Sequence, residues 1–87
     1  MGESWYVYIL RCGDGTFYTG IATDVQRRLE IHKSGKGAKY TRGRGPLELV
    51  YQEFCDGHSQ ALQREIRIKK LSRQQKMTLI AKNRNNL

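Results

Sequence analysis

The sequence predicts an α+β fold in which a β-hairpin near the start of the chain leads directly into a helix. Two runs, Trp5–Cys12 and Phe17–Ala22, are rich in tyrosine, valine and isoleucine, which favour strands. Between them, Gly13 and Gly15 flank an aspartate, and glycine tolerates the positive φ of a tight hairpin turn. Over the whole chain the predicted order is strand, strand, helix, strand, helix, helix.

The first strand is predicted to carry side chains into two different environments. Strand residues alternate between the faces of a sheet. One face therefore receives Trp5, Val7 and Ile9, and the other receives Tyr6, Tyr8, Leu10 and Cys12. In the second strand, a glycine at position 20 is costly unless another group approaches the backbone closely or the strand bulges.

The first helix is expected to begin beside the second strand. Either Thr23 or Asp24 can cap it, because each side chain can accept a hydrogen bond from a free backbone N–H. Helical spacing of apolar residues predicts an inner stripe made of Val25, Leu29 and either Ile31 or His32. After this helix, the stretch Lys36–Pro46 is rich in glycine and basic residues, and we predict a mobile, non-helical loop.

A third strand and two helices complete the predicted order. The strand is expected over Leu47–Phe54, and Ser59 is a suitable N-cap for a helix over Gln60–Leu71 with an apolar face of Ala61, Leu62, Ile66 and Ile68. Ser72 and Gln75 form a capping-box pattern at the start of the last helix. We expect the tail from Asn83 to Leu87 to fray.

Length and composition predict one small domain. The 87 residues leave no room for two cores, so we expect a single domain over 1–87 with its core at about 5–80. No apolar run reaches the ~18 residues of a membrane span, and no export signal is evident. Cys12 and Cys55 are therefore expected to be reduced, semi-buried thiols, and a cytoplasmic location is the default.

The positive charge is large and unevenly distributed. The net charge is +8, and residues 23–44 carry seven basic against two acidic residues while residues 64–87 carry eight against one. The predicted strands carry little of it. Segregated positive charge on a small domain predicts a polyanionic partner, and nucleic acid is the first candidate.

Several side chains could perform chemistry, although each has a structural explanation. Tyr8 and Tyr18 can lie on adjacent strands, where tyrosine is also a common packing residue. Arg28 and His32 share one helix face because they are four residues apart. Glu65 is the only acidic residue in 64–87. It can form an ordinary intrahelical pair with Lys69, or it can bind a divalent cation, since Mg²⁺ uses one or two carboxylates with water and phosphate.

In this order and at these spacings, the residues resemble the GIY-YIG endonuclease family, closest to its small stand-alone bacterial members. Tyr6-Val7-Tyr8 stands in place of Gly-Ile-Tyr, and Tyr18-Thr19-Gly20 in place of Tyr-Ile-Gly. The family's arginine falls on Arg28, its His-or-Tyr position on His32, and its metal-binding glutamate on Glu65. The resemblance extends over nearly the whole chain.

The resemblance implies a three-stranded antiparallel sheet flanked by helices and a metal-dependent nuclease active on DNA, in repair, recombination or DNA processing. It implies catalytic roles for Tyr8 as general base, Tyr18, Arg28, His32 and Glu65, with Gly20 shaping the site and Glu65 holding one Mg²⁺ or Mn²⁺. The basic residues of the loop and of the later helix are expected to bind nucleic acid, together with one tyrosine: Lys39, Tyr40, Arg42, Arg44 and Lys69.

The sequence is also compatible with two other functions. A nucleic-acid-binding module without turnover would use the same basic loop, with Tyr40 stacking on a base. It is favoured by the absence of an assignable downstream asparagine, for which Asn83, Asn85 and Asn86 are candidates by position only. An adaptor for an acidic protein would instead need an exposed apolar patch.

Overall fold

The computed structural model describes residues 3–85, with side chains up to residue 83. Its helices and strands follow the predicted order. They are β1 (Ser4–Arg11), β2 (Phe17–Ala22), α1 (Val25–Lys33), β3 (Glu48–Asp56), α2 (His58–Lys69) and α3 (Arg73–Asn85), and a short 3₁₀ turn (Lys39–Thr41) lies between α1 and β3.

The three strands form one antiparallel sheet with β1 in the centre, in the order β2-β1-β3. The register of the hairpin places Tyr8 opposite Gly20 and Leu10 opposite Tyr18. The pairing of β1 with β3 shifts between Ile9 and Leu10. The fold class expected from the sequence, an α+β fold on a three-stranded antiparallel sheet, is therefore confirmed.

Each face of the sheet has its own apolar core, as the alternation along β1 predicts. One core joins Val7 and Ile9 to Ala61 and Ile68 of α2 and to α3. The opposite core contains Tyr8, Leu10 and Cys12 with Val25 and Leu29 of α1. Consequently α1 covers one face, and α2 with α3 covers the other. Both cysteines are free thiols and buried.

The N-terminal caps of the helices match the predictions in two cases and differ in one. Asp24 caps α1, its carboxylate accepting from the Arg27 backbone N–H at 3.1 Å. At α3, the Ser72 N–H donates to Gln75 and the Gln75 N–H to the Ser72 hydroxyl, which completes the capping box. The predicted cap at Ser59 is wrong. α2 begins at His58, two residues before the predicted start at Gln60, because Gly57 adopts φ 98° and ends β3 there.

Three further expectations need correction. Leu62 and Ile66 are exposed, so α2 buries only a narrow stripe. The stretch Lys36–Pro46 does contain a helical turn. The Arg44 carbonyl also accepts from the Gly13 N–H at 2.6 Å, which ties this stretch to the hairpin turn. Finally, α3 continues to residue 85, past the point where fraying was expected, and residues 86 and 87 lie outside the described residues. No described helix has the length and hydrophobicity to cross a membrane.

Candidate active site

The side chain of Tyr8 lies at the centre of the candidate site and fills the space above Gly20. Tyr8 is 1% exposed. A Cβ atom at position 20 would be 2.6 Å from the Tyr8 hydroxyl oxygen and 2.7 Å from Cζ, distances at which atoms overlap. The glycine is therefore required because the tyrosine ring lies over it.

His32, on α1, also contacts the Tyr8 hydroxyl. Its Nε2 is 2.9 Å from the Tyr8 hydroxyl oxygen. The histidine is 1% exposed, and burial together with the positive charge of Arg28 lowers its pKa below the ordinary 6.5. His32 is consequently neutral at pH 7, and only one of its ring nitrogens carries a proton.

The loop after α1 determines which ring nitrogen of His32 carries that proton. The Ala38 backbone N–H donates to Nδ1 at 3.3 Å, so Nδ1 must be an acceptor. The Thr41 hydroxyl donates to the Ala38 carbonyl oxygen at 2.9 Å and lies 3.1 Å from Nδ1. The proton therefore resides on Nε2, and His32 donates a hydrogen bond to the oxygen of Tyr8. This arrangement stabilises a phenolate more than a phenol.

Two more rings extend the site toward the basic loop. The Tyr18 ring lies 6.4 Å from that of Tyr8 and 5.2 Å from that of His32, centroid to centroid. Tyr40 stacks on Tyr18 at 5.9 Å, and the guanidinium of Arg44 covers the Tyr40 ring at 4.4 Å. Tyr40 is nevertheless 41% exposed, and the stacking of a base on it stays a prediction.

The hydroxyl of Tyr8 is electrostatically coupled to three other residues of the candidate set. Burial and the neighbouring Tyr18 raise the pKa of Tyr8 from 10.0 to about 12, and the negative charge of Glu65 adds to this. Hydrogen bonding and positive charge from Arg28 lower the pKa of Tyr8 but do not overcome burial. Burial therefore outweighs the positive charge of Arg28, and Tyr8 holds its proton more tightly than a free tyrosine does.

Glu65 presents a carboxylate that is suited to a divalent cation. Its side chain is 17% exposed, and its Oε2 lies 3.3 Å from the Nζ of the more exposed Lys69. Among residues 3–85, no three His, Cys, Asp or Glu side chains are close enough to form a metal cage. A single carboxylate completed by water and substrate phosphate is nevertheless a normal Mg²⁺ site. The charge of Glu65 also acts on Tyr8, which places a cation bound there within electrostatic range of the hydroxyl.

The five residues predicted to bind nucleic acid have different surroundings. Lys39 and Arg42 are exposed. The Nη1 of Arg44 forms an ion pair with Asp14 at 2.6 Å, and Lys69 forms the pair with Glu65. Lys39 and Arg42 therefore remain the most available cations of the set, since Arg44 and Lys69 are already engaged.

Two other parts of the molecule lie apart from this site. Asn83 lines a groove with Tyr6 and Phe54 along β3, and the side chains of Asn85 and Asn86 lie outside the described residues. On the face covered by α2, the Tyr51 hydroxyl donates to Glu53, whose carboxylate accepts from Arg64 Nε at 2.9 Å. Burial, followed by the hydrogen bond to Glu53, raises the pKa of Tyr51 to about 12. We attribute this shift to packing.

Sequence reasoning did not identify the support that the loop gives to His32. Thr41 is 2% exposed, and a Cβ at Gly37 would overlap the His32 ring. These contacts join residues that are five to nine positions apart, across a turn whose shape the sequence pattern does not specify. The only available signal was the position of a threonine and a glycine in the basic loop.

Comparison with known proteins gives a family match and several similar sequences. Residues 4–78 match the family model of the GIY-YIG catalytic domain. A UPF0213 protein of Halobacterium salinarum is 57% identical over 74 residues, covering 85% of this chain and 96% of that protein. A UPF0213 protein of Oceanobacillus iheyensis is 52% identical over 80 residues, covering 92% and 93% of the two chains.

Two structures solved by NMR in solution have the same fold. The UPF0213 protein BH0048 of Bacillus halodurans is 51% identical, with a TM-score of 0.58 over 90% of this chain and 83% of its own. The protein EF2693 of E. faecalis is 42% identical, with a TM-score of 0.63 over 91% and 84%. At these identities the likeness extends to sequence as well as to fold.

Proposed function

The chain belongs to the GIY-YIG family, a nuclease superfamily, and we propose that it is a divalent-metal-dependent endonuclease that hydrolyses phosphodiester bonds of DNA. We further propose a role in repair, recombination or DNA processing. The observation that carries the proposal is the electrostatic and hydrogen-bond coupling of Tyr8 to Tyr18, Arg28, His32 and Glu65. These side chains come from distant parts of the sequence and converge on one hydroxyl group.

Arg28 is the proposed phosphate ligand of the site. Its side chain is exposed, it acts on Tyr8, and it forms no ion pair with another described residue. A guanidinium presents a planar fork of donors that matches two phosphate oxygens. Arg28 would therefore hold the scissile phosphate beside the Tyr8 hydroxyl.

Tyr8 is the proposed general base, which accepts a proton from the attacking water. With a pKa of about 12, only about one molecule in 10⁵ carries the phenolate at pH 7, so the resting phenol is the wrong protonation state. The hydrogen bond from His32 Nε2 favours the phenolate, and the Tyr18 ring packs beside that of Tyr8. Any further decrease in the pKa of Tyr8 must come from positive charge that is added when the substrate complex forms.

Glu65 is the residue that would hold a divalent cation. When bound, Mg²⁺ or Mn²⁺ supplies positive charge that stabilises the leaving oxygen and reverses the effect of the Glu65 carboxylate on Tyr8. Lys69 must release the carboxylate for this, and its exposed side chain is free to move into solvent. Lys69 would then join Lys39 and Arg42 as a proposed phosphate contact, with Tyr40 and Arg44 closing the same side of the site.

A nucleic-acid-binding module without turnover is the second candidate function. The raised pKa of Tyr8 favours it, because a phenol that keeps its proton cannot act as a base. Both functions predict binding that weakens steeply with salt, since both depend on phosphate contacts. Metal-dependent cleavage separates them.

The test is nicking of supercoiled DNA by the purified protein. We expect nicking with Mg²⁺ or Mn²⁺ and none in EDTA. Arg28→Ala should abolish nicking while the circular dichroism spectrum stays unchanged, because Arg28 is exposed and contributes little to packing. Arg67→Ala, an exposed arginine on α2, is the matched control and should nick normally. Stoichiometric binding without any nicking would establish the second function instead.

A further inference from the structure

A groove of about 410 Å³ opens beside the candidate site, where the end of β2 meets the start of α1. Its volume falls within the range of small-ligand sites, about 300–1,000 Å³. Nothing in the roles proposed above uses this groove except Arg28, which lines it and also acts on Tyr8. The groove is therefore continuous with the site through one side chain.

Half-buried apolar side chains form much of the groove. They are Trp5, Ile21 and Ile31. A phosphate gains nothing from such walls, because it would lose hydration without gaining hydrogen bonds. A nucleobase or a sugar has apolar faces that these side chains can cover.

Positive charge lies at the rim of the same groove. Arg27 and Arg28 are exposed, and neither forms an ion pair with another residue of the range 3–85. Asp24 also lines the groove, but its carboxylate accepts from the Arg27 backbone N–H. An apolar groove with two available guanidinium groups at its rim matches a nucleotide, whose base is apolar on its faces and whose phosphate is anionic.

We propose that this groove holds an unpaired nucleotide of the substrate strand, adjacent to the phosphate bound by Arg28. This inference rests on the proposed function and adds a substrate class to it. A paired base is enclosed in the duplex stack and cannot enter a protein groove without being turned out. The preferred substrate is therefore single-stranded nucleic acid, or a duplex with an unpaired nucleotide at the cleavage position.

Trp5 makes the proposal testable in solution. It is the only tryptophan in the chain, so fluorescence excited selectively at tryptophan reports on this one wall of the groove. The Trp5 ring also lies 4.5 Å from that of His58, centroid to centroid. Acrylamide quenching of this fluorescence is measured in EDTA, so that no cleavage occurs. The three probes are a single-stranded DNA hexamer, a blunt duplex of the same sequence, and that duplex with one bulged nucleotide. Binding of each probe is followed separately by fluorescence anisotropy of a label on the DNA.

We expect the hexamer and the bulged duplex to reduce acrylamide quenching at saturation, and the blunt duplex to bind without that effect. Arg27→Ala should weaken binding of the hexamer about five- to tenfold, a loss typical of one charge-assisted contact. Arg67→Ala should weaken it less than about twofold, since that arginine lines a different groove on α2. Circular dichroism confirms that both variants are folded.

Three results would overturn the proposal. The first is that acrylamide quenching of Trp5 is unchanged when the protein is saturated with the hexamer, and the second is that the blunt duplex protects Trp5 as well as the hexamer does. The third is that Arg27→Ala and Arg67→Ala lose the same affinity for the hexamer. Each is independent of catalysis. If the hexamer protects Trp5 in EDTA but is not cleaved with Mg²⁺ or Mn²⁺, the groove still binds a nucleotide. That result rejects the endonuclease function alone.

Discussion

Tyr8 and Gly20 stand directly opposite each other on neighbouring antiparallel strands, and the tyrosine hydroxyl occupies the space that a Cβ at position 20 would need. The two short motifs of the hairpin are therefore one structural unit. Gly20 of the second motif has no side chain, and this leaves room for Tyr8 of the first motif to place its hydroxyl beside His32.

Gly20→Ala should destabilise the protein because the new methyl group overlaps Tyr8, which is itself packed against His32. Overpacking of a buried site costs about 1–3 kcal/mol of the free energy of unfolding. Urea denaturation measures this loss. Gly45→Ala is the control, since a Cβ there meets no atom within 4 Å. Equal stability of the two variants would contradict the close packing of Tyr8 on Gly20.

Thr41→Val should weaken the support of His32 while keeping the side-chain volume, because the lost hydroxyl donates to the carbonyl of Ala38, whose N–H donates to Nδ1. Loss of a buried hydrogen-bond partner costs about 1–3 kcal/mol. Thr41→Ser retains the hydroxyl and should recover most of that stability. In the ¹⁵N spectrum of the imidazole, the wild type should show a protonated Nε2 and an unprotonated Nδ1. The opposite tautomer would contradict the hydrogen bond from Ala38.

The pKa of His32 predicts how stability depends on pH. Burial and Arg28 lower it below 6.5, so the unfolded chain binds a proton more tightly than the folded protein does. The contribution of neutral His32 to the free energy of unfolding is fully present above pH 6.5. It is lost as the pH falls through the pKa of His32 in the folded protein. His32→Gln should reduce the acid dependence of the free energy of unfolding, whereas His58→Gln, at the exposed histidine, should keep it. The same acid dependence in both variants would show that His32 does not cause it.

The raised pKa of Tyr8 predicts how cleavage depends on pH. A base that must first lose its proton gives a rate that increases about tenfold per pH unit below its pKa. We expect the nicking rate with Mg²⁺ to increase from pH 6 through pH 8, and Tyr8→Phe to abolish nicking. A flat profile over this interval would exclude Tyr8 as the base that limits the rate.

Much of the fold is local and could be predicted from the sequence. Alternation along β1 assigned Val7 and Tyr8 to opposite cores, and the side chains of Asp24 and Ser72 identified two helix starts. The exposure of Ile66 could not be predicted in this way. Periodicity identifies an apolar face but does not determine whether another element covers it.

The sequence predicts which residues belong to the candidate site, but it does not predict their electrostatics. Motif spacing identified Tyr8, Arg28 and Glu65, whereas the sign of the pKa shift depends on whether burial outweighs a guanidinium, which only distances and exposure decide. The roles of Thr41 and Ala38 depend on contacts across a loop, for which no sequence periodicity exists.

The nicking rate of Glu65→Gln with Mn²⁺ tests most directly whether Glu65 makes this site an active nuclease. The substitution keeps the size of the side chain and removes its charge, and Glu30→Gln, at an exposed glutamate of α1, is the control. We predict that Glu65→Gln is folded, binds DNA and does not nick it, while Glu30→Gln nicks like the wild type. Nicking by Glu65→Gln at the wild-type rate would show that cleavage does not depend on the Glu65 carboxylate.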